Sequence, residues 1–561
     1  MKNVEISRQY LLAFGTLYGE EQFNLVKSLK VLPRKPALEL ISVILHAHNR
    51  RKRSDIRFQS TQLFSWMMQM DKTEQSLIVD FAQRENKLTG DSSFQLLDRK
   101  ACLNLLQHIL VYCEGTNEEL KAKDHSMLFK CLLYFNTKVN ADQESIFNWD
   151  RSGSVEQFAD YILPIHFKNI DLSTHRDYKV QFLKVYYFFK FCEQDAKYST
   201  YLTNFLNALK IKTYGNYLWR VLDQMFLLTL NEEVTTKVQI AGDEQYMSFY
   251  NNLSINSNIK EIHPDLLPLR QFPLFKLTDN QFLYLDYRLF VDKFYQSFLF
   301  DFASQAKISV GSLKSHMGEH FSETILFYKV MSNCFNKYGH TKLNGKELKK
   351  ILKDSEPDYY IREGSKVFIF EFKDLLMSWE VKYSNDLTKI KAAIIDKLEK
   401  TASGQNKGIN QLVNNIICFK KGIYRDKMID ETDPAKTMIY PILVHTDLTL
   451  EAYGVNNFIN ERFSNLLTNT EIPIHLIKKV VLINIDTLIQ LQDYFASSQL
   501  KLATCINAYI EYISKNNAIS ANFPFDEFIK HYLGKKIKKR VPPPKDFMDI
   551  ISEFKRNAKV N

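Results

Sequence analysis

The sequence predicts an α+β protein of several domains, in which a large, mostly helical N-terminal region precedes an α/β domain with a central mixed sheet. Its 561 residues are too many for a single hydrophobic core. From residue 1 to about 260, apolar residues recur three and four positions apart, which is typical of helices. From about residue 311, apolar strand-like runs alternate with helical segments, which is typical of a sheet covered on both faces.

Composition and charge narrow the class of protein. Glycine (17) and proline (14) are scarce and 45% of the residues are hydrophobic, which favours long helices and packed cores. The net charge of +10 is compatible with a polyanionic partner without requiring one. The seven cysteines form no CxxC pair, so we expect reduced, buried thiols. We expect "HAH", with His46 and His48, to end a helix at the surface and not to bind zinc.

No secretory signal or membrane span is expected, since the N-terminus lacks a clean apolar core and no window approaches about 18 uncharged apolar residues. We therefore expect a cytoplasmic chain with no membrane partner. Two basic runs, at 49–57 ("NRRKRSDIR") and at 534–547 ("GKKIKKRVPPPKDF"), fit either a solvated surface or a contact with nucleic acid.

Four segments follow from these patterns. Residues 1–260 form a helical recognition or interaction domain, and 261–310 form a connector in which a hairpin ("PLFKL" and "FLYLD") precedes a helix ("RLFVDKFYQSFLFDFASQ"). Residues 311–520 form the α/β domain, in the order helix, strand, strand, helix, strand, helix, strand. Residues 521–561 form a basic tail whose prolines argue against a helix.

One hairpin in the α/β domain carries unexpected charges. Alternate residues of a strand share a face, so Glu371 and Lys373 lie on the side of Val367 and Ile369. The phenylalanines at 368, 370 and 372 occupy the other side, and a strand apolar on both faces is central in its sheet. If the preceding strand pairs antiparallel, Asp358 lies near Glu371 across the ladder.

Two carboxylates beside a lysine can bind a divalent cation and take part in catalysis. Hard divalent cations bind carboxylate oxygens, and Mg²⁺ commonly shares its shell with waters and substrate phosphates. We therefore expect Mg²⁺ as the cofactor, with Mn²⁺ able to substitute. Lys373 could orient or deprotonate a metal-bound water, or stabilise the transition state. The alternative is an accidental ion pair, because the acid-x-lysine triplet recurs at Glu119/Lys121, Asp177/Lys179, Glu347/Lys349 and Glu380/Lys382.

The order Pro357-Asp358, a turn, and Glu371-Phe372-Lys373 at the end of an apolar strand resembles the PD-(D/E)xK nuclease superfamily. The resemblance covers roughly residues 311 to 490 and implies the restriction-endonuclease-like fold.

Further site residues are implied by this resemblance. The family places another acid on the helix before the hairpin, here Glu323 or Glu319. Glu323 is preferred because it directly follows the "GxxFx" run. A glutamine on the helix after the motif strand is here Gln411. The resemblance thus implies metal ligands Asp358, Glu371 and Glu323, with Lys373 and Gln411 completing the catalytic set.

The resemblance implies a Mg²⁺-dependent endonuclease that hydrolyses phosphodiester bonds, with DNA as the expected substrate. Duplex cleavage needs two active sites, so a homodimer is expected, and the helical half would recognise substrate, a protein partner or a trigger. A nuclease joined to a large helical region is similar to bacterial defence or restriction effectors. One alternative is a catalytically silent nuclease fold that binds nucleic acid or scaffolds a complex. Another is a helical interaction protein whose α/β part is only structural.

Overall fold

The computed structural model describes residues 11–50, 56–89, 95–147, 155–230, 236–240, 244–255, 259–336, 341–352, 356–401, 403–470, 472–515, 517–537 and 541–560. Residues 51–55 of the first basic run and 538–540 of the second lie outside these ranges. The described residues contain no helix that is both long enough and apolar enough to cross a bilayer.

The chain folds into two compact units. The first comprises Met1–Asn148 and Thr203–Gln305, and the second comprises Trp149–Leu202 and Ala306–Asn561. This division differs from the predicted segments: residues 149–202 were assigned to the helical N-terminal region but belong to the sheet-containing unit. Long-range packing, which local periodicity does not reveal, determines where they belong. Leu163 and Phe167 enter the core of the second unit, and Lys184 pairs with Asp486 at 2.8 Å.

Helices make up the first part of the chain, as predicted. In order they are α1 (Phe14–Tyr18), α2 (Leu25–Lys30), α3 (Arg34–Arg50), α4 (Ile56–Met67), α5 (Lys72–Thr89), α6 (Arg99–Tyr112), α7 (Ala122–Phe147), α8 (Val155–Ser173), α9 (Tyr178–Gln194), α10 (Ala196–Ala208) and α11 (Tyr214–Leu230). The expected surface position of "HAH" is wrong for His46, which is buried inside α3 with Nε2 3.1 Å from the Leu228 carbonyl oxygen. Six of the seven cysteines are buried, as expected.

A small mixed sheet completes the first unit. Its elements are β1 (Lys237–Gln239), α12 (Glu244–Asn252), β2 (Ser254–Ile255), α13 (Leu267–Gln271), β3 (Leu274–Lys276), β4 (Gln281–Tyr284), α14 (Tyr287–Val291) and α15 (Phe298–Gln305), with strand order β1-β4-β3-β2. The predicted hairpin is confirmed as the antiparallel pair β3–β4. The single helix predicted after it is wrong, since turns at 292–297 separate α14 from α15. Buried side chains such as Phe282 and Phe290 make this segment part of the unit's core rather than a connector.

The second unit is built around a five-stranded mixed sheet. Its remaining elements are α16 (Val310–Met317), a π-helix (Gly318–Phe327), α17 (Tyr328–Phe335), β5 (Lys342–Asn344), α18 (Gly345–Leu352), β6 (Tyr359–Glu363), β7 (Lys366–Lys373), α19 (Trp379–Lys382), α20 (Leu387–Leu398), α21 (Gly408–Lys420), α22 (Ile423–Asp426), β8 (Met438–His445), a 3₁₀-helix (Leu448–Glu451), α23 (Val455–Thr468), β9 (Val481–Asn484), α24 (Ile485–Ala496), α25 (Leu502–Ile513), α26 (Ala518–Ala521), α27 (Phe525–Ile537) and α28 (Lys545–Val560). The strand order is β5-β6-β7-β8-β9, antiparallel from β5 to β7 and parallel from β7 to β9.

Strand β7 occupies the centre of this sheet, as its apolar faces predict. Val367 and Ile369 belong to a core shared with α20, α21 and α23. On the other face, the Phe372 ring stacks on Phe327 of the π-helix at 4.8 Å between centroids. Gly364 has φ +59° in the turn between β6 and β7, a left-handed conformation that glycine adopts without steric cost. The sheet is therefore covered on both faces.

The expectation that the prolines of the basic tail argue against a helix is wrong for the described residues that follow them. Helix α27 precedes the prolines at 542–544, and α28 follows them, because proline is tolerated before and within the first turn of a helix. In α28, Phe547, Ile550 and Ile551 share one buried face at helical spacing. The Phe547 ring lies edge-on to Phe182 of α9, at 5.3 Å between centroids.

Candidate active site

The hairpin brings Asp358 and Glu371 to the same point of the sheet. Strands β6 and β7 pair antiparallel with Tyr359 opposite Phe370, so the next position places Asp358 opposite Glu371. The Phe372 backbone N–H donates to Asp358 Oδ2 at 2.6 Å and fixes that carboxylate against the end of β7. The two acids therefore share one face of the sheet, at the carboxyl end of its central strand.

Glu371 and Lys373 form an ion pair on this face. Lys373 Nζ lies 2.7 Å from Glu371 Oε1, with the Glu371 side chain 1% exposed and the Lys373 side chain 22% exposed. The other carboxylate oxygen, Glu371 Oε2, is buried and has no hydrogen-bond partner among the described residues. An unpartnered buried oxygen is costly, so it marks a place where a further cationic or donor group fits. We call Asp358, Glu371 and Lys373 the acid–lysine cluster.

A π-helix presents Glu323 to this cluster. In such a helix residues five apart hydrogen-bond to each other, and the Tyr328 N–H donates to the Glu323 carbonyl oxygen. The same spacing places their side chains together, and the Tyr328 hydroxyl donates to Glu323 Oε1 at 2.7 Å. The alternative acid, Glu319, is 76% exposed and lies 3.5 Å from His320 Nε2. The geometry therefore favours Glu323 over Glu319 as the third acid.

The charges of the cluster perturb one another strongly. Burial raises the pKa of Asp358, and the negative charges of Glu371 and Glu323 raise it further. Burial also raises the pKa of Glu371, although the Lys373 ammonium opposes that shift. Burial alone would lower the pKa of Lys373, but the carboxylates of Glu371 and Asp358 outweigh it and raise that pKa. Lys373 therefore stays protonated, and the carboxyl groups attract a proton or another cation.

Sequence reasoning missed a further buried carboxylate, Asp374, directly after the motif lysine. Lys314 Nζ lies 2.7 Å from Asp374 Oδ1, Ser322 donates to Oδ2 at 2.6 Å, and Thr446 donates to Oδ1 at 2.9 Å. Burial would raise the pKa of Asp374, but Lys314 and the hydroxyl donors hold it below its usual range. We call Asp374 and its three partners the Asp374 anchor. Those partners come from α16, the π-helix and the residue after β8, so no local sequence signal could have identified them.

Gln411 lies on α21, whose first residues pack against the sheet near the cluster. A Cβ built on Gly408 would lie 3.2 Å from Leu443 Cδ1, and Leu443 is the register partner of Glu371. Gln411 itself, one turn further along the helix, is half-buried. The described residues show no hydrogen bond between its side chain and the acid–lysine cluster, so its predicted catalytic role stays a prediction.

Two protein carboxylates are the ligands that this site offers to a Mg²⁺ ion. No group of three or more His, Cys, Asp or Glu side chains in the described residues is arranged to hold a metal ion, so the three predicted ligands do not form a ready-made set. Mg²⁺ commonly takes one or two carboxylates and fills its shell with waters and phosphate oxygens. Asp358 and the unpartnered Glu371 Oε2 can supply such a pair.

The chain matches no protein-family model, no curated protein and no solved structure.

Proposed function

We propose that this chain is a metal-dependent nuclease that hydrolyses phosphodiester bonds, with DNA as its expected substrate. The observation that carries the proposal is the position of Asp358, held by the Phe372 N–H close to the charges of Glu371 and Lys373, with a buried Glu371 oxygen left unpartnered by the described residues. Mutual repulsion of the carboxylates makes a bound cation favourable there. The net charge of +10 supports an anionic polymer as the ligand.

Each residue of the site has a role under this proposal. A bound Mg²⁺ would supply a Lewis acid and lower the pKa of a bound water. Asp358 and Glu371 would hold that ion, and the Phe372 N–H keeps Asp358 in place. Because nearby carboxylates raise the pKa of Lys373, we assign its ammonium to stabilising charge on the phosphate and not to removing a proton. Glu323, held by Tyr328, would orient water at the edge of the cluster.

A catalytically silent nuclease fold that binds nucleic acid is the competing function. Two observations favour it: Lys373 occupies Glu371 Oε1, and the described residues offer no ready-made set of three metal ligands. Under this alternative the acid–lysine cluster only stabilises the end of β7. Alanine substitutions in the cluster then leave the binding of DNA unchanged.

Incubation of the purified chain with supercoiled plasmid, in Mg²⁺, in Mn²⁺ and in chelator, tests the proposal. We expect metal-dependent nicking or linearisation that is lost in Lys373→Ala. The matched control is Lys366→Ala, which removes a lysine from the opposite end of the same strand and should cleave like the wild type. If the wild type cleaves neither DNA nor RNA in either metal but binds DNA, and Lys373→Ala binds it equally, the silent-fold alternative replaces the nuclease.

A further inference from the structure

A groove of about 590 Å³ lies beside the acid–lysine cluster, between the π-helix and α17 on one side and β5, α18 and the start of β6 on the other. That volume is in the range of small-molecule sites. Tyr328 lines the groove and also donates to Glu323, so one side chain links the groove to the candidate active site. Tyr359 lines it too and directly follows Asp358 in the chain.

Aromatic rings form one part of the groove wall. The ring centroids of Tyr328 and Tyr359 are 6.4 Å apart, and Phe335 contributes a buried third ring. Tyr359 pairs with Phe370, so it lies on the opposite face of β6 from Asp358. Tyr359 and Phe335 are themselves buried, so the half-buried Tyr328 ring is the one that can stack a base, since every base has a π-face.

Cationic and polar groups form the rest of the wall. Lys342 Nζ is held by the carbonyl oxygens of Phe335 and Asn336, at 2.8 and 3.2 Å, which fixes its charge at the end of α17. Lys329 also lines the groove, but its ammonium lies 4.0 Å from Asp546 Oδ2 and is partly neutralised by that carboxylate. The one carboxylate of the lining, Glu347, accepts the Asn344 backbone N–H at 2.8 Å in a capping box. Lys342 therefore supplies the positive charge that the groove offers to an anionic ligand, and the negative charge of Glu347 is engaged in the capping box.

We propose that this groove binds a nucleotide, with its base against the Tyr328 ring and its phosphate near Lys342. The inference rests on the proposed function for one point, namely that the nucleotide is a neighbour of the scissile phosphate. The same chemistry would also accept a free mononucleotide, and the experiment below separates these two sources.

Calorimetric titration of the full chain carrying Lys373→Ala with deoxyadenosine monophosphate tests the proposal without cleavage. Ser332 is an exposed groove residue, so Ser332→Trp fills the groove without disturbing the core. We expect Ser332→Trp to weaken nucleotide binding at least tenfold. The matched control, Ser464→Trp on an exposed position of α23, should bind like its parent. Equal affinity in both variants, or no binding by the parent at millimolar nucleotide, would overturn the proposal.

Competition with hexathymidylate identifies the source of the nucleotide. Displacement of the mononucleotide by the oligonucleotide places the groove on the path of the substrate strand, and independent binding identifies a site for a free nucleotide. Because the titration uses a variant without cleavage, a failure of the nuclease proposal leaves this result interpretable. If the chain cleaves plasmid but its groove binds no nucleotide, the groove proposal fails and the nuclease proposal stands.

Discussion

Glu371 and Asp374 lie three residues apart, and both are buried carboxylates paired with a lysine at 2.7 Å, yet their surroundings are opposite in kind. Both Asp374 oxygens accept hydrogen bonds, and its pKa is lowered because Lys314, Ser322 and Thr446 outweigh burial. Glu371 has one oxygen without a partner among the described residues, and its pKa is raised because burial outweighs Lys373. The first arrangement stabilises the fold, and the second leaves capacity for a ligand.

Catalysis should separate the two acids most strongly. We expect Glu371→Gln to lower the rate of metal-dependent plasmid cleavage by about 100- to 1000-fold, since it removes a charged group from the transition-state environment. Asp374→Asn should stay within about tenfold of the wild type per folded molecule, because its oxygens are already satisfied by the protein. Nicking rates normalised to the folded fraction measure both. A comparable loss of cleavage rate in the two variants would contradict the assignment of a catalytic role to Glu371 and a structural role to Asp374.

Stability should separate them in the reverse order. Asp374→Asn leaves the Lys314 ammonium without its acid, and breaking such a buried pair costs roughly 3 kcal/mol. Because the pKa of Asp374 is lowered in the fold, its contribution is present above the unfolded pKa near 4 and is lost as pH falls through the folded pKa. Urea unfolding at pH 7 and pH 3 measures this. An equal loss of unfolding free energy at pH 7 and at pH 3 would show that the ion pair with Lys314 is not its cause.

Tyr328→Phe tests how the π-helix supports the acid–lysine cluster. The substitution keeps the ring and removes the hydroxyl that donates to Glu323. A hydrogen bond to a charged group contributes about 1.5–3 kcal/mol, so we expect cleavage to fall roughly tenfold or more. A positioning role predicts that kcat falls and its pH profile shifts while KM changes little. A variant with lower stability but an unchanged kcat and pH profile would show that Tyr328 is structural only.

The smallest expected effect is a gain in stability. Asp358→Asn removes a carboxyl group whose pKa is raised by burial and by Glu371, while its amide oxygen can still accept the Phe372 N–H. A raised pKa gives stability that is present below the unfolded pKa near 4 and lost as pH rises through the folded pKa. In chelator at pH 8 we therefore expect the variant to be more stable by roughly 1 kcal/mol. The difference should vanish near pH 4, and a loss of stability at pH 8 would contradict the account.

The sequence predicted those parts of the second unit that depend on local pattern. The alternation from Val367 to Lys373 predicted a central strand, and the adjacent hairpin placed Asp358 near Glu371. The apolar runs of β8 and β9 were equally clear. For the hairpin, the short turn between β6 and β7 determines the register, so no distant contact was needed.

Features that depend on distant contacts were not predictable from the sequence. Strand β5 has only three residues and forms because it pairs with β6. The π-helix looks like an ordinary amphipathic helix in sequence, so its five-residue pairing of Glu323 with Tyr328 is visible only in three dimensions. One signal for α18 is local, namely the capping box of Asn344 and Glu347, which is independent of the apolar periodicity.

The most direct test of the central claim is calorimetric titration with Mn²⁺ at pH 7.5 of the wild type, Glu371→Gln and Asp374→Asn. The account predicts that the wild type and Asp374→Asn bind Mn²⁺ with similar affinity and that Glu371→Gln binds at least tenfold more weakly. No Mn²⁺ binding by the wild type, or a loss of binding in Asp374→Asn but not in Glu371→Gln, would contradict the claim that the acid–lysine cluster is a metal-dependent catalytic centre.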